Sequence, residues 1–453
     1  VSHIVMRITS YFRSPVDILY VYGGGTVYTD ATITAAINAI GSTVSTIKLA
    51  PGTWTISNNI TIPANIYIDI STAILSIASG KTFTLNGVMD NTLNQKFSGA
   101  GTVLLGGRIE EVYPDWFNAN TTPGTTDMTT AIQRALSSQL FSRIMCLLNT
   151  EYKTTSTIYV SDNTTIKGNG SRPDQTSRIK GYHTGAAVIS LKGASFCHLK
   201  NFVIQGDSTI TPKTGLCLGR SSSASAGSHH ITNVYVSGYY SQAAIYSIAS
   251  EENIFDFLWA DLYGGGAQYV FYTSQGDGLA VDALTGSSNT AIWVNNPRFY
   301  DETAANGSLI YISAGSSTGL ISFRDGFLAQ KNGNFIEIVV GDIDGQNVNG
   351  PIIFDNVGGE AIPGGSIQYN FYVSSSAPRI LSNLEINNCQ IASSATNYLY
   401  GNNNVSFDSL KLWNSKTTTP ISIQNLFSSF VNAKGQALTI RGSSQANILY
   451  GGT

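Results

Sequence analysis

The chain has 453 residues, a net charge of −3 and only 12% charged residues, where soluble domains usually carry about a quarter. That excludes a helical protein laced with salt bridges, and nothing in the charge steers the chain towards nucleic acid or an anionic membrane. Its 42% hydrophobic residues fall in short β-branched runs among abundant Gly, Ser, Thr and Asn, enough for a long core and too much for a disordered chain.

Residues 1–19 read as a poorly patterned lead-in without signal-peptide architecture. Residues 20–113 form a first module: a Gly23-Gly24-Gly25 turn, a short helix after Thr29-Asp30, then strands at Ile47–Leu49, Ile60–Ile62 and Ile66–Ile70. The glycine triplet lacks the spacing of a phosphate loop. A second helix follows Thr125, Thr126 and Asp127. Thr125 or Thr126 is expected to cap it, with Asp127 in its first turn and Ala131, Ile132, Ala135 and Leu136 as its apolar stripe. Strands are expected next at Met145–Leu148, Thr157–Val160 and Thr164–Lys167. The two stretches repeat: position 30 corresponds to 127, 37 to 132, 54 to 152 and 60 to 158, offsets of 97, 95, 98 and 98.

Beyond residue 160 a rung signal recurs. Asn201, Asn233, Asn296, Asp325, Asn356 and Asn388 each sit in a strand-and-turn unit, at spacings of 32, 63, 29, 31 and 32. The 63 is two rungs, with an intermediate one at Phe257–Gly264. A period near 30 suits one turn of a three-faced solenoid with apolar residues inside and Asn ladders at the corners. The competing fold is an ordinary β-sandwich. Residues 114–395 are therefore the main solenoid, and 396–453 its last coils with a C-terminal cap or trimerisation segment. Cys146, Cys197, Cys217 and Cys389 stand singly in strand-like runs. They read as buried small hydrophobes, with a Cys197–Cys217 disulfide as the alternative.

YPDWFNAN followed by TTDMTTAIQRAL, and the earlier APGTWTISNNITIPANIYI, resemble the opening of right-handed parallel β-helix proteins of the pectate-lyase-like superfamily. The resemblance is to the branch of bacteriophage tailspikes and extracellular polysaccharide-active proteins, and covers roughly residues 20–260. It implies an all-β, right-handed parallel β-helix with short N-terminal cap helices. It also implies a homotrimer, on a virion or outside the cell, acting on a bacterial surface polysaccharide without a cofactor. These motifs build the cap and first coils, so they specify fold and not reaction.

Candidate chemistry is densest from Arg220 to Glu302: His229, His230, Tyr239, Tyr240, Glu251, Glu252, Asp256, Trp259, Asp261, Tyr263, Asp277, Asp282, Trp293 and Asp301. Glycoside hydrolysis needs two carboxylates about 5–5.5 Å apart for retention or roughly 6.5–9.5 Å for inversion. Alternate residues of a strand lie about 6.5–7 Å apart and rungs about 4.8 Å apart, so acids on one or two rungs meet either geometry. Glu252, Asp256, Asp261, Asp277 and Asp282 are the catalytic candidates. Trp259, Tyr239, Tyr240, Tyr263, Arg220, His229, His230 and Trp293 are the candidates for holding substrate. Asp256 and Asp261, five apart, share a site only if the chain turns between them. A lyase would instead draw its base from Arg220, His229, His230, Tyr239 or Tyr240, unless the histidines are simply a half-exposed turn. Gly341–Asn347 hints at calcium but departs from the EF-hand pattern, and no metal is assigned. The non-catalytic alternatives are a glycan-binding receptor-recognition or adhesin module and a structural shaft.

Overall fold

The computed structural model describes residues 5–8, 17–21 and 28–441, apart from 107, 141–142, 172–176, 222–225, 285–289, 304–306, 342–343, 393–394, 417–419, 425 and 435–437. The Gly23–Gly25 turn, Asp342 and residues 442–453 lie outside the described residues. Two compact units emerge, Val1–Leu148 with Thr164–Lys167, and Asn149–Asn163 with Gly168–Thr453.

In the first unit, strands Asp17–Val21, Ser45–Leu49, Ile66–Asp69 and Val88–Met89 stack in parallel, with Val5–Ile8 added antiparallel at the edge. Two further parallel sheets come from Tyr28–Thr29, Gly52–Ile56, Ala73–Ile77 and Phe97–Ser98, and from Ile60–Ile62, Thr82–Leu85 and Thr102–Leu105. Alternation fixes which side chains go in: Ile60 and Ile62 are buried while Thr61 is exposed. Helix α1, Asp30–Ile40, buries Ile33 and Ala36, and Asp30 is held by the Asn58 amide at 2.9 Å. Helix α2, Thr129–Ser138, buries the expected stripe of Ala131, Ile132, Ala135 and Leu136.

The start of α2 differs from expectation. Met128 occupies the cap position and no side chain caps it. Thr125 and Thr126 are used in a separate turn onto the Thr122 carbonyl. Asp127 lies before the helix and accepts from the Thr129 amide at 3.0 Å and hydroxyl at 2.6 Å. A short polar side chain bonding its own backbone two residues on competes with the capping geometry, and here it wins.

The second unit is a parallel β-helix of three sheets. Sheet I runs through Asn253–Asp256, Thr290–Asn295, Thr318–Arg324 and Val348–Asp355. Sheet II holds Arg178–Gly181, Trp259–Gly264 and Arg298–Asp301, and sheet III holds Ala187–Lys192, Thr214–Gly219, Ala243–Ile248, Tyr269–Ser274 and Ser308–Ala314. The long strands His198–Gly206 and His230–Tyr239 pass from sheet I to sheet II around a corner. Among the described residues, seven successive corners each take the left-handed conformation: Asn201, Asn233, Phe257, Asn296, Asp325, Asn356 and Asn388, with φ between 52° and 59°. Six of the seven are Asn or Asp, the non-glycine residues that tolerate this region best. Side chains link some coils here, Asn233 to Asn201 at 2.9 Å and Asn356 to Asp325 at 2.7 Å.

Inside, Phe299, Phe271, Phe323, Phe354, Phe371 and Tyr398 form a continuous buried column, with successive ring centroids 5.3–5.9 Å apart. Outside, on sheet III, Tyr246, Tyr272 and Tyr311 stack at 5.1 and 4.7 Å. All four cysteines are buried thiols outside any disulfide, so the Cys197–Cys217 bridge does not form; the Cys197 thiol instead donates to the Ser161 carbonyl. Because coils contact only their neighbours, a hole in the column has no distant compensation. Phe323→Ala should destabilise the second unit by about 3–5 kcal/mol in chemical denaturation, and an unchanged midpoint would contradict this packing.

Candidate functional site

The one-residue corner at Phe257 divides the acids of this coil between two faces. Phe255 and Leu258 point inward and are fully buried, while Asp256 on sheet I and Trp259 and Asp261 on sheet II point outward. The chain does turn between Asp256 and Asp261, as a shared site requires, yet each carboxylate finds its partners on its own sheet.

On sheet I, the Asp256 carboxylate sits 2.7 Å from His230 Nε2 and accepts from the Asn295 amide at 2.8 Å. Burial pushes its pKa up, but the Asn295 and His230 contacts outweigh it and hold the group below the usual aspartate range. His230 stacks on His198, with centroids 4.9 Å apart and planes 6° apart. Trp293 lies on the same sheet, in register with Ile254. Glu252 is exposed at the coil's other end, in a left-handed conformation, accepting from the Ser228 hydroxyl at 3.1 Å.

On sheet II, positions two and four after each corner face outward, and they bring an acid and aromatic rings together. Tyr235 is in register with Trp259 below Arg298, and Asp261 with Tyr300. Trp259 packs on Tyr235 at 5.2 Å and on Tyr300 at 6.0 Å, and Tyr300 continues to Phe327 at 6.0 Å. Tyr239 meets the edge of Tyr263 at 6.2 Å. Trp259 and Tyr263 remain 38% and 42% exposed, which leaves flat ring surface open along the coil direction.

Asp261 is set into this aromatic surface. Its Oδ2 accepts from the Tyr235 hydroxyl at 3.2 Å, and the Tyr235 hydroxyl oxygen lies 2.9 Å from the Tyr263 hydroxyl oxygen. Its Oδ1 is buried and has no hydrogen-bond partner among the described residues. Burial raises its pKa to about 6, with the negative charge of Glu302 adding to the rise and the two tyrosine hydroxyls opposing it. The Glu302 amide bonds the Leu262 carbonyl at 3.3 Å, which places Glu302 across from Tyr263 on the next rung, and its side chain is exposed. Rung spacing of about 4.8 Å and alternate-residue spacing of about 6.8 Å put the two acids' Cα atoms roughly 8 Å apart. Asp301, by contrast, is buried and turned back onto the Thr303 amide at 2.9 Å, and burial raises its pKa too.

The remaining candidates lie elsewhere. Asp277 ties down the segment over sheet III, accepting from the Tyr246 hydroxyl at 2.6 Å and from the Val281 and Leu284 amides at 3.1 Å. Asp282 does the same with the Ser190 hydroxyl at 2.8 Å, and Lys192 lies 3.7 Å away. With both fastened, Val281 and Leu284 pack onto Tyr246 and Tyr272. Arg220 follows Thr214–Gly219 of sheet III. Two substrate-holding expectations are corrected. Tyr240 is fully buried, its hydroxyl bonding the Ser237 carbonyl at 2.8 Å. His229 is not half exposed but buried, its Nδ1 accepting from the Cys197 amide at 3.3 Å, and burial lowers its pKa to about 4. Both fall on the inward side of the strand alternation, where a polar group survives by bonding backbone.

The structure thus joins Asp261, Trp259, Tyr263 and Tyr239, adds Tyr235 and Tyr300, which the sequence did not single out, and brings in Glu302, which the sequence placed in the cluster without a role. No group of three metal-ligating side chains converges among the described residues. In the calcium-like stretch Asp344 clasps the Ser316 amide at 2.9 Å and the Gln346 amide at 2.9 Å. Among the described residues no helix is long and apolar enough to cross a membrane.

No protein-family model matches this chain, and no curated protein matches it. Among solved structures it is similar to ORF18 of Geobacillus virus E2, at 14% identity and TM-score 0.44 over 76% of this chain and 61% of that one. It is also similar to the gp42 tailspike of Acinetobacter phage vb_AbaP_AS12, at 13% identity and TM-score 0.40 over 77% of this chain and 64% of that one. The chain spans less than two thirds of the length of either.

The Asp261 environment gives a stability signature. The folded state holds this proton more tightly than the unfolded chain, whose aspartates titrate near 3.9. The wild type therefore loses stability as pH rises from about 4 to about 6 and loses no more above that. Asp261→Asn, which keeps the shape and cannot ionise, should melt higher than wild type at pH 7, with the difference shrinking to nothing near pH 4. A difference independent of pH would show that Asp261 is not held in its protonated form.

Proposed function

We propose that the outward face of sheet II around Asp261 binds a bacterial surface polysaccharide and hydrolyses it. The observation that carries the reading is an aspartate with its pKa raised to about 6, set among exposed aromatic rings with a second carboxylate one rung away. Rings stacked along neighbouring coils suit the apolar faces of successive pyranoses. Asp261 is the general acid: it gives its proton to the glycosidic oxygen as the bond from that oxygen to the anomeric carbon breaks. Glu302 is the general base, taking a proton from a water that attacks the anomeric carbon from the opposite side. On this reading the reaction inverts the anomeric centre, which requires the two carboxyl groups to stand roughly 6.5–9.5 Å apart with the water between them. On the same reading the protein is an oligomer of the kind the sequence resemblance implies, working on a virion or outside a cell.

Asp261→Asn should cut release of reducing ends by about 100-fold or more while retention of the polysaccharide persists, because the amide keeps the shape and loses only the proton. Glu302→Gln should do the same. For wild type, kcat/KM should fall as pH rises above about 6, as the acid loses its proton. Cleavage unchanged in both variants would sink the hydrolase assignment. Polysaccharide retained by wild type with no reducing ends released would leave a binding module.

A further inference from the structure

Phe257 breaks the chemistry of the corner column without breaking its geometry. Its φ of 53° matches the Asn and Asp corners, and its amide donates to Asn295 O at 3.0 Å just as the Asn296 amide donates to Arg324 O at 2.8 Å. Register places it between Asn233 and Asn296 on the neighbouring coils. Yet a bulky aromatic residue in this region carries a backbone strain that Asn largely escapes. Its ring is 61% exposed and stacks on no other aromatic ring among the described residues. The side chain therefore gains little from the fold to offset that strain. It is also not alone: Ile254, Phe257, Trp259 and Tyr263, all of this one coil, are among the large apolar side chains left exposed.

Resting on the glycan reading above, we propose that Phe257 is a specificity-determining contact. It would carry the sheet II aromatic surface around the corner, so that a polysaccharide lying across the coil meets it with the apolar face of a further pyranose. The ring has no polar atom, so it selects a sugar unit by its C–H face and not by its hydroxyls, and a charged or heavily hydrated unit there would be disfavoured. Exposed, strained residues kept at a functional surface are the usual form of a stability–function trade.

The test compares wild type, Phe257→Asn and Trp259→Ala, all full length, on a panel of purified capsular polysaccharides and O-antigens. Binding is read by calorimetry, melting by differential scanning and mass by sedimentation. Phe257→Asn should melt at or above the wild-type temperature while its affinity for the best-bound polysaccharide falls about tenfold, the loss expected from one buried aromatic side chain. Phe257→Leu should retain part of that affinity. Unchanged affinity in Phe257→Asn, with Trp259→Ala weakened, would overturn this inference and leave the glycan reading standing. A lower mass in Phe257→Asn would mean that a second copy covers the ring, and would also overturn it. If wild type binds nothing on the panel, or Trp259→Ala binds as wild type does, the glycan reading itself fails and takes this inference with it.

Discussion

The left-handed residue at the corner between sheets I and II is the constraint on which the second unit rests. It bends the strand sharply without a loop, so sheets I and II meet at a fixed angle with their registers locked, coil upon coil. Backbone hydrogen bonds between parallel strands then hold each coil to the next, and the phenylalanine column fills the space they enclose. Everything outward of the corner inherits that regularity. Side chains two and four positions beyond it are delivered to the same face on every coil, which is how residues from three coils reach one surface at Asp261.

The corner also explains two opposite electrostatic fates within five residues. Asp256 meets a histidine and an amide and is kept ionised. Asp261 faces tyrosines and a second carboxylate in a half-buried setting and resists ionisation. Neighbours in sequence are separated by the bend into different surroundings, so the same residue type is held ionised on one sheet and protonated more readily on the other.

Much of this was legible in the sequence, for local reasons. Asn201, Asn233, Asn296, Asp325, Asn356 and Asn388 marked the corners because the left-handed conformation is a preference of the residue itself, and alternation in Ile60–Ile62 told inside from outside without reference to any partner. Phe257 hid its own corner, since nothing in a phenylalanine announces that conformation, and the spacing of 63 was the trace it left. Asp261 stood out as an acid in an apolar run. Its companions did not, because they belong to other coils of unequal length: Tyr235 lies 26 residues before it, and Tyr300 is set against it by register on the coil after. The segment from Asp277 to Leu284, pinned over sheet III, lengthens that later coil and spoils any count by a fixed period. Burial of Tyr240 and His229 was equally out of reach, because two adjacent tyrosines or histidines do not say which of them turns inward.

The outward tyrosines of sheet III have an optical consequence. Tyr246, Tyr272 and Tyr311 stand on successive coils, and Tyr369, Tyr372 and Tyr400 form a second set further along, with ring centroids near 5 Å in most pairs. Chromophores held that close in a chiral array mix their electronic transitions, whereas the phenylalanine column absorbs only weakly and at shorter wavelength. Near-ultraviolet circular dichroism around the tyrosine band thus registers the spacing of coils directly, and its loss on heating or in denaturant separates coils pulling apart from strands dissolving, with no label introduced.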